Sequence, residues 1–206
     1  MGTGESAAEL LAAGAEALLE AAFRTGDYAD IQPRLQAARV RAGADGDRAT
    51  KAAALDRLGW LLHFQALDHG VEHADADAEE ALFQQALAIR RDIQDPAGVA
   101  GSLFGVGLFQ QVLRRDWDAA MPYFWEALAL ADQHGDELTR GDPRWIPSGT
   151  LALGQAELAA GNRAEAIRRL REAVGQARAA GLRQRRIDQA EEALRRAEAG
   201  GPPTHR

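Results

Sequence analysis

Cysteine is absent from this chain of 206 residues. Its absence excludes disulfide frameworks, cysteine-ligated zinc sites and thiolate catalysis, and it is compatible with a reducing compartment. A secretory leader is not expected either, because Glu5, Glu9, Glu16 and Glu20 occupy the region where a leader would carry cationic and apolar residues. We therefore expect a cytoplasmic protein.

Long apolar runs are also scarce. The longest uncharged stretch, residues 96–113, approaches the length of a membrane-spanning helix, but glycines and the polar residues Ser102, Gln110 and Gln111 interrupt it. This pattern predicts a buried helix whose glycines allow its neighbours to approach closely. We expect no membrane association.

Signatures of catalysis are missing as well. The sequence has no glycine-rich phosphate loop, no Ser-His-Asp arrangement and no setting of paired carboxylates for general acid–base chemistry. We therefore expect a protein that is not an enzyme and that needs no cofactor.

The net charge of −7 is unevenly distributed. Residues 1–160 hold 25 acidic residues against 13 lysines and arginines, whereas residues 161–199 hold ten arginines against six acidic residues. An acidic body disfavours nucleic acid as the main ligand, because affinity for it comes largely from phosphate neutralisation. The arginines of the basic end could bind an acidic partner or nucleic acid, but the acidic residues between them favour a solvated face with ordinary ion pairs. These arginines are Arg168, Arg169, Arg171, Arg183, Arg185 and Arg186.

The composition that remains favours helices and no sheet, since alanine, leucine, arginine and glutamate are abundant. The 21 glycines argue against one long coiled coil, because glycine inside a helix costs about 1 kcal/mol relative to alanine. Many short helices are therefore expected, with most glycines at helix ends or at close contacts.

Apolar spacing and helix-start residues predict nine helices. Gly26 followed by Asp27 predicts that the first helix ends there and that Asp27 caps the second. N-caps are also expected at Asp47, Asp95 and Asn162. Within a single domain, residues 1–199, the helices pair into hairpins at about 6–43, 47–94, 96–134 and 144–180, followed by a capping helix at 182–199 and a disordered tail at 200–206.

The connection over residues 135–145 has two interpretations. It is either a plain loop or the seam left by a lost hairpin. The pair Asp142-Pro143 could open the seventh helix, but Pro147 suggests that this helix starts one turn later.

One hairpin has a spacing that recurs, imperfectly, upstream. Its residues are Leu153, Gly154, Gly161, Asn162, Ala166, Leu170 and Ala173. The hairpin near residues 96–134 repeats the pattern through Val106, Gly107, Asp116, Ala120, Phe124 and Ala127, and the first hairpin has Leu19 where the first helix of a pair should carry glycine. In these positions the chain resembles the tetratricopeptide repeat family, of the bacterial type with longer, irregular repeats. The resemblance covers residues 10–180 and implies an all-α, tetratricopeptide-like superhelix of about four hairpins plus a capping helix.

The resemblance also implies where a partner would bind. In this family the ligand usually lies in the concave groove lined by the first helix of each pair. The corresponding residues are Asp56, Trp60, His63, Phe104, Leu108, Gln111, Gln155 and Leu158. The function implied is a non-catalytic scaffold that holds a protein, as a peptide or a helix, although the apolar members of the set fit a packed core equally well.

Two alternatives stay open. The region from His63 to Asp77 carries His69 and His73 at a spacing that could place both on one helix face, and it could serve a small-molecule-binding or metal-binding protein, perhaps enzymatic. However, Gly70 interrupts that helix, so His69 and His73 are weak metal candidates and a surface loop is the simpler interpretation. Self-association through exposed repeat ends is the other alternative.

Overall fold

A computed structural model describes residues 4–134 and 146–200, and these residues form nine α-helices and no β-strand. The helices are α1 Ala7–Glu20, α2 Ile31–Asp45, α3 Arg48–His69, α4 Ala76–Asp92, α5 Pro96–Val112, α6 Trp117–His134, α7 Ile146–Ala159, α8 Arg163–Ala179 and α9 Gln184–Ala199. A π-helical turn, Ala21–Thr25, continues α1, and a 3-10 turn, Val71–His73, precedes α4. The all-α class is therefore confirmed for this part of the chain. The predictions for residues 135–145 and for the tail from 201 onward lie outside the described residues.

The helices begin largely where local sequence predicts. The carboxylate of Asp47 accepts from the backbone N–H of Thr50 at 2.9 Å, and that of Asp95 accepts from Gly98 at 2.9 Å. Each satisfies one of the free N–H groups at a helix start. Asn162 precedes α8 as predicted, but its side chain makes no cap hydrogen bond.

The predicted N-cap at Asp27 is wrong. Gly26 ends the π-turn in a left-handed conformation with φ of 78°, as expected, but Asp27 accepts from the backbone N–H of Ala29 at 3.0 Å and so closes a turn of its own. The helix α2 begins later, at Ile31, with Asp30 in the N-cap position.

A glycine contact recurs in four pairs of helices. A Cβ atom added to the glycine of the first helix would lie 2.6–2.8 Å from a large side chain of the second, which a real structure does not tolerate. The pairs are Gly14 with Leu35, Gly59 with Phe83, Gly107 with Phe124 and Gly154 with Leu170. A buried alanine follows each large residue by three positions, at Ala38, Ala86, Ala127 and Ala173. The expectation that Leu19 replaces the glycine of the first hairpin is therefore wrong, since Gly14 takes that position.

Each described helix packs against the next along the chain, and α1 also contacts α3, α3 contacts α5, and α7 contacts α9. The helix α5 is mostly enclosed, as predicted for the uncharged stretch, and Phe83 of α4 packs against both Gly59 and Gly105. In the ranges 4–134 and 146–200, no helix is both long and apolar enough to cross a membrane.

The start of α9 packs against the first hairpin. The backbone N–H of Arg183 donates to the carbonyl oxygen of Phe23 at 2.7 Å, and Nε of Arg186 donates to that of Ala22 at 2.9 Å. Both arginines also form ion pairs with Asp68 at the end of α3. The prediction of a solvated basic face is therefore wrong for Arg183 and Arg186, because they serve a carboxylate whose side chain is only 6% exposed.

Candidate functional site

A cavity of about 280 Å³ lies between α3, α5, α7 and α9. Its apolar lining comes from Trp60, Phe64, Leu67, Val71, Leu108, Val112, Trp117, Pro147, Leu151, Ala152, Ala177, Leu182 and Ala190. Its polar lining comes from His63, Gln111, Arg115, Ser148, Gln155, Arg186 and Gln189. An apolar wall with a few polar groups is the usual make-up of a ligand site, and this volume is near the small end of the range of about 300–1,000 Å³.

Trp60 forms the apolar floor of the cavity. Its ring packs edge-on against Phe83 at 5.5 Å between centroids and lies at 5.7 Å from Phe64. The residue is 1% exposed, so most of its surface stabilises the core and the remainder faces the cavity. Its position is therefore held by packing against side chains of α3 and α4.

His63 lies one turn after Trp60 and has a fully buried partner. Its Nδ1 atom is 2.8 Å from Oε1 of Glu79, which is 0% exposed. An ionised Glu79 can only accept, so Nδ1 then carries the proton. The ring of His63 also lines the cavity.

Gln111 and Gln155 join two walls of the cavity. The side-chain amide of Gln111 donates to the oxygen of Gln155 at 2.8 Å. The oxygen of Gln111 is buried and has no hydrogen-bond partner in the described structure. Burying a polar atom without a hydrogen-bond partner is unfavourable, so the oxygen of Gln111 makes the packing between α5 and α7 less stable.

Arg186 brings a cation to the wall formed by α9. Its side chain is 5% exposed and lies over the Phe64 ring, with 5.0 Å from Cζ to the ring centroid. Burial lowers its pKa, and the neighbouring carboxylate of Asp68 opposes that shift. Nη1 of Arg186 donates to the oxygen of Gln189 at 3.0 Å, while Nη2 makes no hydrogen bond to the described residues and lies 3.3 Å from Asp68.

Asp68 anchors this cluster from outside the cavity. Its Oδ2 accepts from the hydroxyl of Tyr28 at 2.6 Å, and three arginines form ion pairs with it. Burial acts to raise the pKa of Asp68, but the Tyr28 hydroxyl and the guanidinium groups of Arg186 and Arg183 hold it below its ordinary value. Burial and the bond to Asp68 raise the pKa of Tyr28.

The structure brings together part of the predicted groove set. Trp60, His63, Leu108, Gln111 and Gln155 all line the cavity. Their assignment to partner binding stays a prediction.

The other members of the set lie elsewhere. Asp56 is buried against Arg90, with 2.8 Å between Oδ2 and Nη2, and it accepts from Ser102. Phe104 packs against the rings of Trp60 and Phe124, and Leu158 packs on the cluster around Leu170. These three residues therefore contribute to packing.

Cavity residues that sequence reasoning missed come mainly from α9 and from the start of α7. The sequence places Arg186 only in a basic face and gives no separate role to Gln189. The signal for them was weak, since α9 was expected to cap the array rather than to reach the inner surface. A spacing of three residues, which places Arg186 and Gln189 on one helix face, was the available clue.

The weak metal candidates are not assembled. His69 and His73 are both exposed, and Nε2 of His73 lies 3.7 Å from Glu72. Across residues 4–134 and 146–200, no group of three or more His, Cys, Asp or Glu side chains is arranged to hold a metal ion.

Comparison with models of known protein families found no match, and comparison with curated proteins found none.

Proposed function

We propose that this chain is a tetratricopeptide-like helical-repeat protein that works as a non-catalytic binding module. The glycine contact that recurs between Gly14 and Leu35, and again in three later pairs, supports this architecture. Small residues at such crossings let paired helices approach closely, and stacking buries a face that no hairpin buries alone.

The observation that carries the binding role is the cavity on the inner side of α3, α5, α7 and α9. It keeps accessible volume beside aromatic rings, where a purely structural stack would be filled to native density. Its size suits one apolar side chain of a partner peptide rather than a whole helix. In this proposal the side chain inserts between Trp60 and Leu108, and Gln155 and His63 bond to the peptide backbone.

Panning a phage-displayed peptide library on the immobilised chain tests this role. We expect selected peptides to share an apolar residue and to lose binding to Leu151→Trp, because the larger ring fills the cavity. The matched control is Leu158→Trp, on the same helix but outside the cavity lining, which should bind normally. Peptides that bind both variants equally would place the partner surface elsewhere and contradict the groove assignment.

A second candidate function is the binding of a small molecule. The size of the cavity favours it, because a volume of about 280 Å³ suits a small free ligand better than an extended chain. Trp60 and Trp117 both line the cavity, so a ligand should change the intrinsic fluorescence of the protein. The same change should disappear in Leu151→Trp when the added fluorescence of the new ring is subtracted.

A further inference from the structure

We propose that the cavity binds a small free molecule with an apolar body and a single carboxylate group. This inference rests on the proposed small-molecule role of the cavity and names the ligand class for it. It follows from the sign of the charged groups in the lining, from the hydrogen-bond donors that are left unused there, and from the shape of the apolar wall.

The charged residues that line the cavity have one sign. Arg186 and Arg115 contribute guanidinium groups, and no aspartate or glutamate from the described ranges belongs to the lining. Arg186 is buried, and Arg115 is exposed, so the two cations lie at the inner wall and toward solvent. A net charge of −7 makes the protein as a whole repel anions, so this local reversal is a property of the cavity alone.

The neutral hydrogen-bond donors of the lining also favour an anionic ligand. Arginine can only donate, so the Gln189 atom that pairs with Nη1 of Arg186 must be its oxygen, and the amide N–H groups of Gln189 have no partner among the residues described. A carboxylate accepts from several such groups at once, and hydrogen bonds with a charged partner are stronger than neutral ones.

The remainder of the lining is apolar and limits the body of the ligand. Trp60 and Trp117 supply rings, while Leu108, Leu151 and Ala152 supply aliphatic surface. An aromatic ring on a short aliphatic chain fits this wall, and its carboxylate would reach the α9 side, where Arg186 and Gln189 lie. A ligand whose body is charged or polar would leave water in contact with the apolar wall.

Three probes with the same body test the proposal: 4-phenylbutyrate, 4-phenylbutan-1-ol and 4-phenylbutylamine. Isothermal titration calorimetry with the full chain at neutral pH and low salt gives the three affinities. We expect 4-phenylbutyrate to bind roughly tenfold more tightly than the alcohol, the factor typical of one added charged hydrogen bond, and the amine to bind most weakly. Leu151→Trp should abolish binding and Leu158→Trp should not.

Two substitutions with matched controls locate the carboxylate. Gln189→Glu keeps an oxygen that can accept from Arg186 but replaces the free amide donors with a negative charge. It should therefore lower the affinity for 4-phenylbutyrate by roughly tenfold and leave the affinity for the alcohol unchanged. Gln32→Glu, an exposed change of the same charge on α2, is its control and should have no effect. Arg115→Gln should weaken the acid, whereas Arg114→Gln, at a neighbouring residue that is not part of the lining, should not.

The outcomes separate the ligand class from the binding role. Equal affinities for the acid and the alcohol, both lost in Leu151→Trp, would overturn the carboxylate assignment and leave a small-molecule cavity. Binding of none of the probes by a chain with a native circular dichroism spectrum would overturn the small-molecule role as well, while peptide panning decides the other role independently.

Discussion

Arg183 donates from its Nε atom to the carbonyl oxygen of Ala22 at 2.9 Å, across 161 residues of sequence. The last carbonyl groups of a helix lack intrahelical donors, and a cation near a helix C-terminus is stabilised by the helix dipole. Arg186 bonds to the same oxygen, so two residues at the start of α9 satisfy the end of the first helical segment. This contact links the two ends of the described chain.

The carboxylate of Asp68 should be essential to that link. Asp68→Ala removes the partner of three arginines, one of which is buried, and should destabilise the protein by about 3 kcal/mol. The free energy of unfolding from urea denaturation measures the effect. Glu192→Ala, which breaks exposed pairs with Arg195 and Arg196, is the control and should cost less than about 1 kcal/mol. Equal losses in the two variants would show that the Asp68 link is not stabilising.

Stability should fall in acid through Asp68. Its pKa is lower in the folded protein than in the unfolded chain, where it is about 3.9. The contribution is therefore fully present above pH of about 4 and is lost as the pH falls through the folded pKa. We expect the difference in unfolding free energy between wild type and Asp68→Asn to shrink from pH 6 to pH 3, as measured by urea titrations at each pH. A difference that stays constant over this range would contradict the assignment.

Close packing at Gly107 should make alanine unfavourable there. The new Cβ atom would lie 2.6 Å from the Phe124 ring, and overpacking of this kind costs about 1–3 kcal/mol, which exceeds the gain of about 1 kcal/mol in helix propensity. Gly175→Ala in α8 is the matched control, since among the described residues no atom beyond its own helix backbone and chain neighbours lies within 4 Å of the added Cβ, and it should be neutral or stabilising by up to about 1 kcal/mol. Thermal unfolding of the two variants compares them directly, and a stable Gly107→Ala would refute the close crossing.

The buried pair of Asp56 and Arg90 should matter for stability rather than for binding. Their side chains are 3% and 2% exposed, so Asp56→Ala leaves a buried guanidinium without its main counter-charge and should cost about 3–5 kcal/mol. The double variant Asp56→Leu with Arg90→Met should recover most of that loss, because it removes both charges. Denaturant unfolding measures both variants, and ligand titration of any variant that remains folded should show unchanged affinity.

Much of the helical layout could be predicted because its causes are local. Asp47 and Asp95 cap the helices that follow them through bonds to residues three positions away, and apolar spacing identifies the buried sides. Asp27 failed as a cap because a short turn competes for its carboxylate, which local propensity does not resolve. The glycine at the first crossing was misplaced to Leu19, since only the contact with Leu35 identifies Gly14.

The candidate site was only partly predictable. Trp60, His63 and Gln111 are among the groove positions that the tetratricopeptide resemblance implies, and they line the cavity. The hydrogen-bond partners of His63 and Arg186 depend on how the helices pack. The sequence alone therefore could not identify Glu79 as the partner of His63, or Gln189 as the partner of Arg186 in this cavity. The same holds for Asp56, which the tetratricopeptide resemblance assigned to the groove although Arg90 holds it in the core.

The sequence by itself determined the helical class, most helix ends and the crossing glycines Gly107 and Gly154, because capping, periodicity and the lack of a Cβ act within one or two helices. Only the tertiary structure decided which polar residues are buried pairs and which face a cavity. Asp68, Arg183 and Arg186 show the physical reason. Ion pairing and burial depend on elements that are distant in sequence. Arginines alternate with acidic residues both on a solvated helix face and in a buried link, so the sequence pattern alone does not distinguish the two.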